Sequence, residues 1–343
     1  FDTAAVERLR KQLRLDPQQI RLLRNCLLKK FQPDDEALQP FAGRDKLRCH
    51  VLNEFDRCDS NIDGATKLLF QTPAGMLIES VILRIETGRT TLCVSSQVGC
   101  AAACDFCATG KMGIAQNLPA AEILDQVLQV GQLLKSEGRR LDNIVFMGMG
   151  EPFHNEANLQ EALATLTSPQ MFDRSPGSIL VSTVGVPDAM IRCAKQFPRI
   201  NLALSLHSVN PDVRTKLIPL TKKHSLDELQ QTLSEVNRIQ QRPLMIEYLM
   251  LADLNDSLSD ADALCDWLQG MSVHVNLIPY NEIEDSPHLA SSDPQTTAVF
   301  ADRMKAAGFK TTVRYSLGAD IAAACGQLVK KENRRRAIEA NSA

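Results

Sequence analysis

TTLCVSSQVGCAAACDFCATG, residues 90–110, joins a short β-branched run to a loop carrying three cysteines. The run alternates like a strand and then breaks into the glycine-flanked loop, so the cysteines stand just beyond a strand end. From here onward the sequence repeats one pattern. The runs NIVFMGMG (143–150), SILVSTVG (178–185), NLALSLHS (201–208), LMIEYLML (244–251) and HVNLIPYN (274–281) read as strands, with a further candidate in KTTVRYS (310–316). Between them AAEILDQVLQVGQLLKS (120–136), NLQEALATLT (158–167), VPDAMIRCAKQF (186–197), LDELQQTLSEVNRI (226–239), DADALCDWLQG (260–270) and TTAVFADRMKAA (296–307) carry helical spacing. Six strand–helix units in series imply parallel strands with right-handed crossovers, in a partial barrel or a doubly wound sheet.

Ligands of such folds sit at the carboxyl ends of the strands. Ser95 and Ser96, Gly148 to Glu151, Ser182 and Thr183, Ser205 to Ser208, and Asn281 all fall there, so they are expected to converge on one site. Upstream, residues 1–55 read as helices, and TKLLFQT (66–72) with MLIESVILRIE (76–86) read as a hairpin turning at Pro73-Ala74-Gly75. The expected division is an accessory helical domain at 1–60, a core with its β extension at 61–330, and a basic tail at 331–343. The C-terminal basic run, Lys330, Lys331, Arg334, Arg335 and Arg336, suits a solvated helix end as well as a phosphate contact.

A length of 343 residues allows about two domains, or one large α/β barrel with an accessory piece. With 44% hydrophobic and 23% charged residues the chain is expected to be globular, and a net charge of −3 argues against non-specific coating of nucleic acid. There is no apolar run of membrane-span length, and FDTAAVERLRKQLRL lacks the apolar core of a signal peptide, so the chain reads as cytoplasmic with no membrane partner. The ten cysteines are then expected to be reduced, and a cluster of them points to metal or redox chemistry. Cys100, Cys104 and Cys107, spaced C-x3-C-x2-C, suit three corners of an iron–sulfur cube with one iron left open. A zinc site completed by Cys93 is the competing reading, although zinc sites usually pair two C-x2-C knuckles.

Taken together, TLCVSSQVGC, FCATG, GMGEP, SLH, NLIPYN and DIAAACGQL resemble the RlmN/Cfr family of the radical S-adenosylmethionine superfamily, which methylates adenine C2 or C8 in RNA. The resemblance spans residues 63–330, and QQIRLLRNCLLKKF (18–31) stands where the family has a small accessory helical domain for RNA docking. It implies a partial (β/α)6 barrel, one [4Fe-4S] cluster on Cys100, Cys104 and Cys107, and two S-adenosylmethionine molecules per turnover. It also implies an RNA substrate, 23S rRNA and also tRNA, an electron donor such as flavodoxin, and a monomer.

An electron-poor adenine carbon cannot attack a methyl sulfonium, whereas a thiolate can. The resemblance makes Cys325 the methyl acceptor, Glu79 the general base and Cys93 the thiol that resolves the protein–RNA link as a disulfide. Read alone, Cys325 is a small residue in an Ala-rich turn, Glu79 is as readily an outward strand carboxylate, and Cys93 is a packed strand cysteine. The same match gives Gly150, Glu151, Ser182, Ser205, Leu206, His207 and Asn281 to S-adenosylmethionine; a lone His207 is more often a satisfied histidine. Cys26, Cys49, Cys58, Cys193 and Cys265 have no ligand spacing and read as structural. C2 is the expected carbon as the commoner branch, while FCATG and MFDRSPGSILVSTVGV lean toward C8. A rival of another class is a non-catalytic iron–sulfur protein for RNA binding or sensing, in which Cys93, Cys325 and Glu79 are dispensable.

Overall fold

The computed structural model describes residues 3–41, 44–113, 115–314 and 316–327, and the basic tail lies outside them. The chain opens with α1 (Thr3–Gln12) and α2 (Pro17–Arg24). Pro17 occupies the first turn of α2, and the Asp16 carboxylate caps it by accepting from the Gln18 N–H at 2.8 Å. A wide turn, Asn25–Lys29, leads to α3 (Asp34–Leu38). Val6, Leu9, Ile20, Leu23 and Phe41 form a small core of their own, while Leu27, Leu28 and Phe31 belong to the main core. Phe31 plugs into α4 (Ala120–Ser136) at Gly131, where an added Cβ would lie 2.3 Å from the ring.

Helices do not continue to residue 55 as expected, because Asn53–Asp59 is a strand, β1. Nearly every residue of β1 is exposed, so it has no apolar alternation to betray it. Backbone pairing with β2 (Ala65–Gln71) holds it in place, and Asp56, Arg57 and Asp59 keep this open edge polar. β2 and β3 (Leu77–Arg84) form the expected hairpin, followed by β4 (Thr90–Cys93) antiparallel to β3.

β5 (Gln97–Gly99) and β6 (Ala115–Asn117) then make a small antiparallel ribbon that brackets the cysteine loop, an element the sequence did not suggest. α4 and β7 (Asn143–Phe146) start a regular alternation. It runs through α5 (Glu156–Thr167), β8 (Ile179–Thr183), α6 (Pro187–Gln196), β9 (Asn201–Ser205), α7 (Pro211–Leu217) and α8 (Leu226–Gln240). It ends with β10 (Leu244–Met250), α9 (Leu258–Trp267), β11 (Val273–Pro279), α10 (Pro294–Ala306) and β12 (Lys310–Val313).

One ten-stranded sheet runs β1-β2-β3-β4-β7-β8-β9-β10-β11-β12, antiparallel as far as β4 and parallel from β4 to β12. The six strand–helix units are therefore present, and KTTVRYS contributes the seventh parallel strand at one edge. The strands of this open, partial barrel read as near-continuous apolar runs because helices bury their outer face. Leu202, Leu204, Ile246, Val275 and Leu277 are all fully buried. No helix among the described residues is long and apolar enough to cross a membrane.

Candidate active site

At the carboxyl ends of the parallel strands the backbone turns sharply around polar groups. Gly150 (φ +105°) permits close approach to Gln97, whose Cβ would lie 2.6 Å from an added methyl. The Gln97 side-chain amide oxygen, Oε1, accepts the Glu151 N–H at 2.8 Å. Glu151 is buried, its carboxylate accepting the N–H groups of Phe153 (3.0 Å) and Val184 (2.9 Å). Burial pushes its pKa up, against the opposing hydrogen bonds from Val184, Phe153 and the Thr183 side chain.

The Cys100–Cys107 loop lies within the β5–β6 ribbon, with Ala103 in the left-handed region (φ +53°). Gly110 lets the following turn close on the loop, since a Cβ there would meet the Cys104 nitrogen at 2.8 Å. Asp105 anchors the loop to the far side: its N–H donates to the Leu217 carbonyl at 2.9 Å, and its carboxylate binds His288 Nε2 at 2.7 Å and also Lys111. Burial pushes the Cys100 thiol up to about 12 and the Cys104 thiol well above its ordinary value, and neighbouring sulfurs add to both shifts. These thiols hold their protons until a cation displaces them. Among the described residues no three His, Cys, Asp or Glu side chains gather tightly enough for a single metal ion.

Cys93 faces elsewhere. A cavity of about 30 Å³ is lined by Cys93, Cys325, Arg314, Met147, Val81 and Leu83. It has room for one or two water-sized groups. Burial pushes the Cys93 thiol up to about 12 and the Cys325 thiol up to about 11, with Arg314 opposing both shifts. Cys325 is open to solvent, yet the walls of this cavity surround its sulfur closely enough to desolvate it. Both are free thiols.

Cys107 lies within electrostatic reach of Cys325. The Cys325 turn is tied to the loop by the Ala108 N–H, which donates to the Gly326 carbonyl at 2.7 Å, and to β11 by Asn281 Nδ2, which donates to the Cys325 carbonyl at 3.1 Å. Glu79 is completely buried in β3, so it is not an outward strand carboxylate. The strand's two-residue period places it on the same face as Val81 and Leu83, beside the Cys93–Cys325 cavity.

Ser182 and Ser205 meet through a residue that the sequence reading passed over. Glu247, on β10, is buried; its Oε2 accepts the Ser182 hydroxyl at 2.8 Å and the Ser205 hydroxyl at 3.3 Å, and its Oε1 has no hydrogen-bond partner. The signal available was a lone carboxylate in the apolar run LMIEYLML.

Leu206 donates its N–H to the Glu247 carbonyl at 3.0 Å. His207 takes a left-handed conformation (φ +60°), and its Nδ1 accepts the Leu249 N–H at 3.0 Å. Burial, reinforced by Arg214, pulls the His207 pKa down to about 3, so the ring is neutral with its hydrogen on Nε2. Its ring meets Phe106 of the cysteine loop edge-on at 4.7 Å, so it positions that loop. Arg214, also passed over, is buried and donates to the carbonyls of Ser205 (3.0 Å), Val184 (2.6 Å) and Leu206, fastening the ends of β8 and β9 together.

The pattern of the Radical SAM superfamily matches residues 94–268, a span that runs from just after β4 through α9. A solved radical SAM methyltransferase from Sphaerobacter thermophilus superposes with a TM-score of 0.89 at 33% identity, over 95% of this chain and 97% of that one. A probable RNA methyltransferase of Rhodopirellula baltica is 62% identical over 99% of this chain and 90% of its own length. The dual-specificity RNA methyltransferase RlmN of Vesicomyosocius okutanii is 42% identical over 83% and 80%, respectively. The fold is thus that of a radical SAM enzyme. Within that superfamily the chain belongs to the RlmN family.

Proposed function

We propose that this chain is an S-adenosylmethionine-dependent radical RNA methyltransferase that methylates an adenine ring carbon, C2, in 23S rRNA and also in tRNA, through a methylated Cys325. The relatives' names support RNA as the substrate, and ribosomal and transfer RNA as substrates agree with a cytoplasmic enzyme. The observation that carries the cysteine mechanism is the shared cavity of Cys93 and Cys325, flanked by the Glu79 face of β3 and tied to the Cys100–Cys107 loop.

The residues suit the groups that the family uses. Three free thiols share one loop held at both ends, Gly150 lets the backbone pack directly on Gln97, and Glu247 Oε1 is a buried acceptor without a hydrogen-bond partner. Cys100, Cys104 and Cys107 would hold a [4Fe-4S] cluster, and Gly150, Glu151, Ser182, Ser205, Leu206, His207 and Asn281 would line the S-adenosylmethionine site. With electrons from a donor such as flavodoxin, that cluster supplies reductive cleavage of S-adenosylmethionine, the source of a hydrogen-abstracting radical.

The protein's own residues do the rest. Cys325 takes the methyl group from a first S-adenosylmethionine, favoured as a thiolate by the cation of Arg314, and presents its carbon to the base. Glu79 accepts the ring proton once the carbon is attached. Cys93 then gives up its proton and attacks the Cys325 sulfur: a disulfide closes across the cavity as the sulfur–carbon bond breaks, the bonding pair stays with the carbon, and a proton taken up there completes the methyl group on the released RNA. Mass spectrometry of rRNA and tRNA nucleosides from cells with and without this protein tests the reading: a methyladenosine that disappears on deletion is expected, and unchanged nucleosides overturn it.

A further inference from the structure

At the opposite pole of the barrel from the cysteines, a cavity of about 360 Å³ opens between the accessory helices and the C-terminal end of α4. Its charged lining is entirely cationic: Lys29, Lys30, Lys135, Arg139, Arg140 and Arg174. The carboxylates nearest this rim are already engaged. Asp173 pairs with Lys29 at 3.3 Å, Asp142 accepts the Thr90 N–H at 2.9 Å, and Glu137 is turned onto Arg84 at 2.7 Å. Among the described residues Lys30, Lys135, Arg139 and Arg140 form no ion pair.

The dipole at the end of α4 is worth about half a charge, which one lysine satisfies. Four further cations within one Debye length, ~10 Å, repel one another in a chain whose net charge is −3. Arg174 is fixed at the wall by its Nη2, which donates to the carbonyls of Leu141 and Asp142, while its Nε is buried without a partner. The cavity is therefore cationic, partly rigid and short of anions.

We propose that this cavity clamps the sugar–phosphate backbone of the RNA substrate, at a point remote from the base that is methylated. The inference rests on the RNA methyltransferase reading and adds to it a second contact shared by the accessory helices and the barrel. The 17 residues of α4, at ~1.5 Å each, put the cavity ~25 Å from the cysteine end of the barrel. That span is shorter than the ~16 base pairs that a double-stranded-RNA-binding domain covers, so one folded RNA reaches both places. A short single strand in the active site does not.

The test is the triple variant Lys135→Glu, Arg139→Glu, Arg140→Glu, with the glutamine version as a second variant; all three side chains are exposed, so the fold is spared. Affinity is measured by fluorescence anisotropy for a full-length tRNA transcript and for an adenine-containing hexanucleotide, across a salt series. The expected result is at least a tenfold loss for the transcript and a log Kd against log[salt] slope shallower by ~1–2, with hexanucleotide binding and RNA-independent S-adenosylmethionine cleavage unchanged. Equal transcript affinity and slope in both proteins overturn the clamp, as does an equal loss for transcript and hexanucleotide. Inorganic phosphate is titrated in parallel. Phosphate binding that the variant loses while transcript affinity is kept identifies a small-anion site and overturns the proposal. If wild type and variant both fail to methylate either RNA, the underlying reading fails and the clamp with it.

Discussion

His50 bridges the accessory helices and the barrel, and its protonation is written into the stability of that junction. Its Nδ1 lies 2.7 Å from Asp125 on α4 and its Nε2 lies 3.2 Å from Asp34 on α3. Asp125 also accepts the N–H groups of Val51 and Leu52, both at 2.8 Å. Desolvation lowers the His50 pKa, but the two carboxylates outweigh it and raise the value from 6.5 to about 9. A folded pKa above the unfolded one means the stabilisation is complete below pH ~6.5 and is lost as pH rises through 9.

At ~1.36 kcal/mol per pH unit the rise amounts to ~3 kcal/mol, and since a quarter of the ring is exposed, ~1–3 kcal/mol is the expected range. Asp34 is held below its ordinary range and Cys49 is pushed up to about 12, so neither titrates in this window. The perturbation is His50→Gln, and the assay is thermal unfolding of both proteins from pH 6 to 9.5, followed by circular dichroism. The variant should melt ~2–6 °C lower at pH 6, with the gap closing by pH 9.5; all other titrations are common to the two proteins and cancel. A gap that persists or widens with pH refutes the reasoning.

Anaerobically reconstituted protein should hold one four-iron cluster that is lost when any of Cys100, Cys104 or Cys107 becomes Ala; stoichiometric zinc without iron in protein purified without oxygen would sink this expectation. Glu79→Gln should keep cluster assembly and Cys325 methylation but lose RNA turnover by at least ~100-fold, read as methyladenosine yield, and a near-normal yield places the base elsewhere. Cys93→Ala should accumulate a covalent protein–RNA adduct on denaturing gels while Cys325→Ala gives none, because only the second removes the methyl carrier. The reverse pattern returns Cys93 to the role of a packed strand residue.

The parallel strands were legible because burial on both faces leaves them as short apolar runs such as NLALS and SILVS, each followed by a helical repeat. The cysteine loop was legible because its three cysteines are local in sequence. β1 was not: NEFDRCD pairs through its backbone alone and buries almost nothing, so its side chains carry no period. Glu247 and Arg214 were missed for another reason. Each acts through partners 42–65 and 8–30 residues away respectively, Ser182 and Ser205 for the first and three strand-end carbonyls for the second. Such distant pairings have no local signature. Glu79 illustrates the boundary, since its burial excludes the outward-facing carboxylate that the pattern alone left open.

The ties around Cys325 bear on how a nucleotide gets in. The bonds from Ala108 to Gly326 and from Asn281 to the Cys325 carbonyl leave the thiol on a turn braced by two other parts of the barrel, and the cavity beside it has the volume of only a water or two. Those two hydrogen bonds, worth about 1 kcal/mol each, favour this seat for the thiol over one that reaches toward a base stacked within a helix. The travel must come from the RNA: the target nucleotide has to rotate out of its stack at a cost of a few kcal/mol, and loops or strand ends, where that cost is smallest, are the places at which such an enzyme works fastest.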